Sequence, residues 1–149
     1  MVLTLNDLRK KHTRTVLEID KEQYGDGCWT VKDLTDMYDE FGVSGAVADD
    51  SGLIVGYVLF QRYDGMNTVH GLVVRKSCRR EYVGRTLMHY VMRRSKKVPL
   101  VVEIGERNLV AQLFLKSLGF RCIRIHHNSS KKGDDLYEFV RHPQVAEKV

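Results

Sequence analysis

Apolar residues along the chain recur with two periods, and the change from one to the other marks out the expected elements. Thr4 or Asn6 is placed to cap a first short helix over Leu5–His12, with a further turn through Val16, Leu17 and Ile19. Thr30 is a good N-cap for a second helix, in which Val31, Leu34, Tyr38 and Phe41 recur at helical spacing until Gly42 ends it. Gly45–Asp49, Asp50-Ser51-Gly52 and Leu53–Tyr63 read as strand, turn and strand. Asp64-Gly65 makes the next turn and Thr68–Val74 the next strand. A helix over about Glu81–Ser95 presents Val83, Leu87, Tyr90, Val91 and Arg94 along one side. After Pro99 comes Leu100-Val101-Val102-Glu103-Ile104, a nearly continuous apolar run that fits an interior strand. A helix over Leu109–Leu118 ends at Gly119, and Phe120–His126 and Leu136–Val140 are the last two strands.

The order is helices, three antiparallel strands, helix, strand, helix, two strands. A strand–helix–strand–helix centre requires at least one parallel pairing in an otherwise antiparallel sheet. The predicted fold class is therefore mixed α/β (α+β), a mostly antiparallel central sheet of six to seven strands flanked by about four helices. At 149 residues the chain fits one domain over 1–149.

Composition narrows the function classes. The three cysteines, Cys28, Cys78 and Cys122, are an odd number without paired spacing, which argues against a disulfide framework or a CxxC zinc site. The same cysteine usage makes a reducing cytoplasm the simplest home; no apolar run is long enough to cross a bilayer, the N-terminus has no leader pattern, and a monomer or homodimer is expected. The net charge of +5 hides an asymmetry: residues 75–97 hold nine Lys/Arg against the single acid Glu81, whereas residues 1–64 hold seven against twelve Asp/Glu. A block this basic calls for a polyanion, whether nucleic acid, a membrane surface or the phosphates of a cofactor. Only Tyr82 and Tyr90 interleave it, thin for a nucleic-acid surface.

The chemistry concentrates in Leu72-Val73-Val74-Arg75-Lys76-Ser77-Cys78-Arg79-Arg80-Glu81-Tyr82-Val83-Gly84-Arg85-Thr86. A strand ends, a basic turn follows, and a helix begins. Free amides at a helix start and the helix macrodipole favour an anion there. Gly84 lets a ligand come close to the backbone, and Arg79, Arg80 and Arg85 add charge. The parts describe a pyrophosphate cradle. The run resembles motif A of the GNAT N-acetyltransferases, Gln/Arg-x-x-Gly-x-Gly/Ala, with Arg79 first, Gly84 last, and Tyr82 where the first glycine stands; a bulky phenol there crowds the phosphate path. Asn108-x-x-Ala111-x-x-Phe114-Leu115-x-x-x-Gly119-Phe120 is similar to motif B of the same family. Trp29-Thr30, Val102-Glu103-Ile104 and Asn128-Ser129-Ser130 resemble the RimI-like protein N-terminal acetyltransferases, with Ser129 and Ser130 in place of that subgroup's tyrosines. The resemblance covers about residues 28–140.

It implies an enzyme that takes acetyl-CoA as cosubstrate and passes the acetyl group to a primary amine, a protein N-terminus or lysine, or else a small-molecule amine. The backbone of Leu72, Val73 and Val74 would pair with the pantetheine arm and polarise the acetyl carbonyl. Arg79, Arg80, Glu81, Tyr82, Val83, Gly84, Arg85 and Thr86 would hold the diphosphate, and Asn108 would contact the cofactor or cap its own helix. Glu103 is the candidate general base: a lone acid in an apolar strand is costly unless used, and burial would raise its basicity. The structural alternative is an ion pair with Arg107 or Arg121. Leu115 stands where many relatives carry the tyrosine that protonates the leaving thiolate, so Tyr82, Tyr137, Cys122 or water must serve, or the chain is a weak cofactor binder. Cys78, among arginines, more simply fills its loop. His126-His127, even with Asp134 or Asp135, makes a poor metal site because adjacent strand residues face opposite sides, so no metal is expected.

Overall fold

A computed structural model describes residues 2–25, 29–79, 82–130 and 133–143. Seven strands form one sheet in the order β1-β2-β3-β4-β5-β7-β6, where β1 is Leu3–Asp7, β2 Val43–Asp50, β3 Leu53–Tyr63, β4 Met66–Val74, β5 Leu100–Gly105, β6 Arg121–His126 and β7 Leu136–Arg141. The helices are α1 (Thr13–Tyr24), α2 (Val31–Asp39), α3 (Val83–Arg94) and α4 (Leu109–Ser117). β4 and β5 make the parallel pair that the strand–helix–strand order demands, while β1–β2, β2–β3, β5–β7 and β6–β7 are antiparallel. None of the helices is long and apolar enough to cross a membrane, among the described residues.

The N-terminus departs from expectation. Instead of a helix over Leu5–His12, Leu3–Asp7 pair with β2 from Leu3↔Asp50 to Asp7↔Ala46, and Lys10–His12 form one 3-10 turn before α1. Leu3 and Leu5 are the half-buried positions and Thr4 and Asn6 the exposed ones, the period of a strand. The run is too short for that period to outweigh the capping residues around it. Further along the chain, β4 begins at Met66 rather than Thr68. The expected first residue of α3, Glu81, lies outside the described residues.

The chain divides into two compact units, Met1–Arg62 with His70–Arg94 and Tyr63–Val69 with Ser95–Val149. In the first, Val16 and Ile19 of α1, Leu34 of α2, Val43 and Val47 of β2, Tyr57 and Leu59 of β3 and Val73 of β4 make one buried cluster. Thr30 caps α2 reciprocally with Asp33: its amide donates to Asp33 Oδ2 at 2.8 Å, and Asp33 N donates to Thr30 Oγ1 at 3.1 Å. In the second unit Leu100, Val101, Val102, Leu115, Phe120, Phe139 and Val140 are buried. Gln112 Nε2 ties α4 to the end of β5 by donating to Gly105 O at 3.2 Å and Glu106 O at 3.0 Å. Gly119 closes α4 at φ +90°, with Phe120 N bonded back to Leu115 O at 3.1 Å.

Candidate functional site

In the first unit, a glycine on β3 lets the turn between β4 and α3 sit close. A Cβ on Gly56 would stand 2.9 Å from Val73 O and 3.2 Å from the side chains of Leu87 and Val83. Its absence lets the first turns of α3 lie against β3. Arg75 then fastens the turn. Its amide donates to Val55 O and its Nε to Ile54 O, both at 2.8 Å, and its Nη1 is 3.7 Å from Glu22 Oε2. Lys76 N donates to the other oxygen of the same carboxylate, Glu22 Oε1, at 2.8 Å. α1 therefore holds the basic turn through one glutamate.

Tyr82 follows with φ +63°, a left-handed conformation that favours glycine. The residue that adopts this conformation is a tyrosine, at the position that the resemblance gives to a glycine. Tyr82 is 75% exposed, so its ring is turned to solvent. Thr86 closes the first helical turn, its amide donating to Tyr82 O at 3.0 Å and its hydroxyl to the same oxygen at 2.9 Å. The amides of Val83 and Gly84 come before that bond, among the helix-start donors that have no acceptor within the helix. Val83 is buried, while Gly84, Arg85 and Thr86 are half-buried.

The arginines divide their labour. The Arg79 guanidinium donates to the Gln23 carboxamide, and its Nε reaches Val74 O at 3.4 Å. It braces the turn against α1 through Gln23 rather than standing open. Arg80 and Glu81 lie outside the described residues. Upstream, Val73 is buried and Leu72 and Val74 half-buried. The β4–β5 ladder pairs Asn67–Val69 with Leu100–Val102, and among the described residues none of these two strands' pairing continues past Val69. Trp29 packs over β4 at Gly71, where a Cβ would meet the indole at 2.9 Å, and its ring lies 6.4 Å from that of Tyr57.

In the second unit Glu103 is exposed, contrary to the burial expected from its apolar neighbours. The three valine and leucine positions before it are buried, but β5 turns outward at Glu103, which stands opposite Glu138 of β7 in the register. Neither expected arginine pairs with it: Arg107 Nε is 3.3 Å from Asp134 Oδ1. His126 Nε2 of β6 lies 3.0 Å from Glu138 Oε1. Glu103, His126 and Glu138 thus bring donor atoms from three strands within 4.8 Å of one another. Two carboxylates and an imidazole can accept a proton from a cationic amine, and are also a set able to hold a divalent cation. The adjacent histidines do part company, His127 Nδ1 going to Asp135 Oδ2 at 3.2 Å.

Asn108 caps α4, its Oδ1 accepting from Ala111 N at 3.1 Å. Leu115 is 2% exposed, a core residue with no chemistry to offer. Tyr137 pairs with Ile104 in the register, one step from Glu103↔Glu138, so its side chain takes the other face of the sheet. Cys122 is exposed on β6, with Sγ 3.7 Å from Arg124 O, and Cys78 is half-buried in the turn.

Two groupings were missed in the sequence. Asp20, 4% exposed on α1, takes the hydroxyl hydrogen bond of the fully buried Tyr57. Its signal was present: Val16, Ile19 and Asp20 stand at i, i+3 and i+4, so an acid lies on the apolar face. The Glu103–His126–Glu138 group has no such signal, because it depends on the register of three strands.

A strand, a basic turn with a left-handed residue and a helix opening at Val83 make an arrangement able to hold an anion. The model of the acetyltransferase (GNAT) domain matches residues 42–122, just over half of the chain, and the chain belongs to that family. It is accordingly an N-acetyltransferase, acting on amines. Solved structures agree on the fold. Ard1 from Thermoplasma volcanium is 21% identical, with 97% of this chain and 100% of that one covered at a TM-score of 0.88. The ribosomal-protein-S18-alanine N-acetyltransferase from Escherichia coli is 19% identical, with 99% of both covered at 0.83. Arabidopsis thaliana NAA60, solved in complex with acetyl-CoA, is 16% identical, with 95% and 98% covered at 0.81. No curated protein is significantly similar in sequence.

Proposed function

We propose that the chain uses acetyl-CoA as cosubstrate and transfers the acetyl group directly to a primary amine of a protein, an N-terminus or a lysine side chain, with Glu103 as general base. The observation that carries this reading is the turn at Tyr82–Gly84. A left-handed residue followed by the open amides of α3, in a basic setting, is what a diphosphate needs. Val83, Gly84, Arg85 and Thr86 hold it in this reading, with Arg79 and Arg80 supplying charge and Glu81 and Tyr82 the backbone. Leu72, Val73 and Val74 pair with the pantetheine arm along β4, and their amides polarise the thioester carbonyl. Asn108 offers its amide nitrogen to the cofactor while its oxygen caps α4.

The step balances simply. A protonated amine has no lone pair, so Glu103 takes one proton, either directly or through water, and the neutral nitrogen attacks the carbonyl carbon. The C–N bond forms, the C–S bond breaks as the thiolate leaves, and the second proton on the nitrogen is lost to water. Because the side chain at Leu115 has no proton to give, the thiolate takes its proton from water, which its acidity allows near neutral pH. Exposure of Glu103 does not weaken this role: facing Glu138 across the strands, it offers a second negative charge to attract a cationic acceptor.

Two measurements test the reading. Acetyl-CoA raises the melting temperature, and release of free thiol follows when a panel of peptides and small amines is added. Glu103→Gln keeps the thermal shift and lowers thiol release by about 100-fold or more. Undiminished release would remove Glu103 from the mechanism, and turnover of small amines alone would replace the protein acceptor.

A further inference from the structure

The basic block is not used up by the turn. Its far end contributes to a cavity of about 490 Å³ in the first unit, lined among others by Arg9, Lys10, Arg62, Tyr90 and Arg94. Gly84 and Arg94 are ten residues apart on α3, about 15 Å along its axis. The cavity is therefore at the opposite end of that helix from the phosphate turn.

Its charges are unbalanced in a specific way. Of the four cations, Lys10 already pairs with Asp39 at 3.0 Å. Arg9, Arg62 and Arg94 form no ion pair with a described residue. The one lining acid, Asp7, is held by the Tyr90 hydroxyl, which donates to Asp7 Oδ1 at 2.9 Å and also lies 3.3 Å from Gly45 O. Burial, and then the bond to Asp7, raise the Tyr90 pKa, which keeps the phenol in its donating form.

Two of the guanidiniums are also oriented. Arg94 Cζ lies 3.4 Å from the centre of the Tyr90 ring and Arg62 Cζ 5.9 Å from that of Phe60, and the two rings meet edge to face at 6.4 Å. A guanidinium resting on an aromatic face loses little further freedom when its N–H edge meets an oxyanion. Elsewhere in the lining the Tyr38 hydroxyl is closed off from solvent without a partner at hydrogen-bond geometry. Burial pushes its pKa to about 12, with the Thr13 side chain acting weakly in the opposite sense.

We propose that this cavity is a second anion site, separate from the acetyl-transfer machinery, for a small ligand bearing a phosphate or pyrophosphate group. Three guanidiniums without an ion pair, against the single lining carboxylate of Asp7, leave a surplus of two positive charges, more than a carboxylate ligand would balance, and the volume admits a small molecule. The site gives the enzyme a place to sense a phosphorylated metabolite without competing for its cofactor turn.

The test is calorimetric titration of the full chain with inorganic pyrophosphate at low salt, with acetyl-CoA at saturation so that the turn at Gly84 is occupied. One saturable site is expected. It should weaken about ten-fold or more in the double variant Arg62→Gln/Arg94→Gln. These side chains are exposed, so the variant folds, and its unchanged thermal shift with acetyl-CoA confirms it. Should acetyl-CoA fail to bind at all, the double variant still reads this cavity alone, because Arg62 and Arg94 line it and take no part in the turn at Gly84. Absence of saturable heat, or heat indifferent to the double variant, overturns the proposal. So does a silent pyrophosphate titration beside a salt-sensitive RNA complex that the same variant weakens, which would make the surface a nucleic-acid one.

Discussion

Two helices of this molecule begin just after a strand, and they begin differently. α4 starts at an asparagine whose own side chain satisfies Ala111 N. α3 starts after a tyrosine held at φ +63°, with Val83 and Gly84 amides ahead of the first helical bond. The first is a finished helix end, complete without a ligand. The second keeps donors open in a basic setting at a cost in backbone strain of about 1–2 kcal/mol. Where a chain tolerates such strain and leaves donors unused, the natural reading is that something else uses them.

The sharpest way to break this comparison is to give the open end an anion of its own. Gly84→Asp places a carboxylate in the first turn of α3, where the helix dipole welcomes it, and replaces a poor helix former. The melting temperature should hold or rise slightly, while the thermal shift with acetyl-CoA disappears, corresponding to a loss of affinity of about 100-fold or more. If the shift survives, the diphosphate is not held there.

Asn108 offers the converse experiment. Asn108→Ala removes the cap of α4 and should cost about 1 kcal/mol of stability by chemical denaturation. Asn108→Asp retains the capping oxygen and removes the amide nitrogen. If Asn108 also serves the cofactor, Asn108→Asp weakens acetyl-CoA binding a few-fold at near-normal stability; equal binding would leave it a cap alone.

This contrast also marks how far the sequence could be read. The end of β4 and a helix beginning close after it were legible, because both follow from local order. Asn108 could be recognised as a cap for the same reason. The edge strand Leu3–Asp7 was hidden because five residues carry too little period to overrule nearby capping residues. The exposure of Glu103 was hidden because an apolar run predicts burial of a strand, not which of its residues turns outward. Its grouping with His126 and Glu138 needs the β5–β7–β6 register, which a one-residue slip would scatter.

Tyr82 tests the strain directly. Tyr82→Gly restores at φ +63° the one residue that adopts it freely, and the ring it removes is exposed, so little packing is lost. The variant should be more stable by about 1 kcal/mol, less any entropy gained by the unfolded chain. Binding of acetyl-CoA should be equal or tighter. A fall in both would mean that the phenol makes a contact with the cofactor that outweighs the strain.

The smallest effect belongs to the loop after β6, in the second unit. Asp135 accepts from Asn128 N at 3.0 Å and meets His127 Nδ1 at 3.2 Å. The backbone bond first, and His127 after it, hold its carboxyl below the ordinary value of 3.8. A depressed carboxylate stabilises the fold above its unfolded pKa and loses that contribution as pH falls through the folded value. The loss should therefore begin below about pH 4 and be slight, since solvent reaches the half-buried group and screens it. An acid titration followed at the Asn128 amide resonance should show one transition in that range, and Asp135→Asn should remove it while leaving acetyl-CoA binding at Gly84 untouched. If the same substitution altered cofactor binding, the loop would be coupled to the helix start that the comparison treats as self-contained.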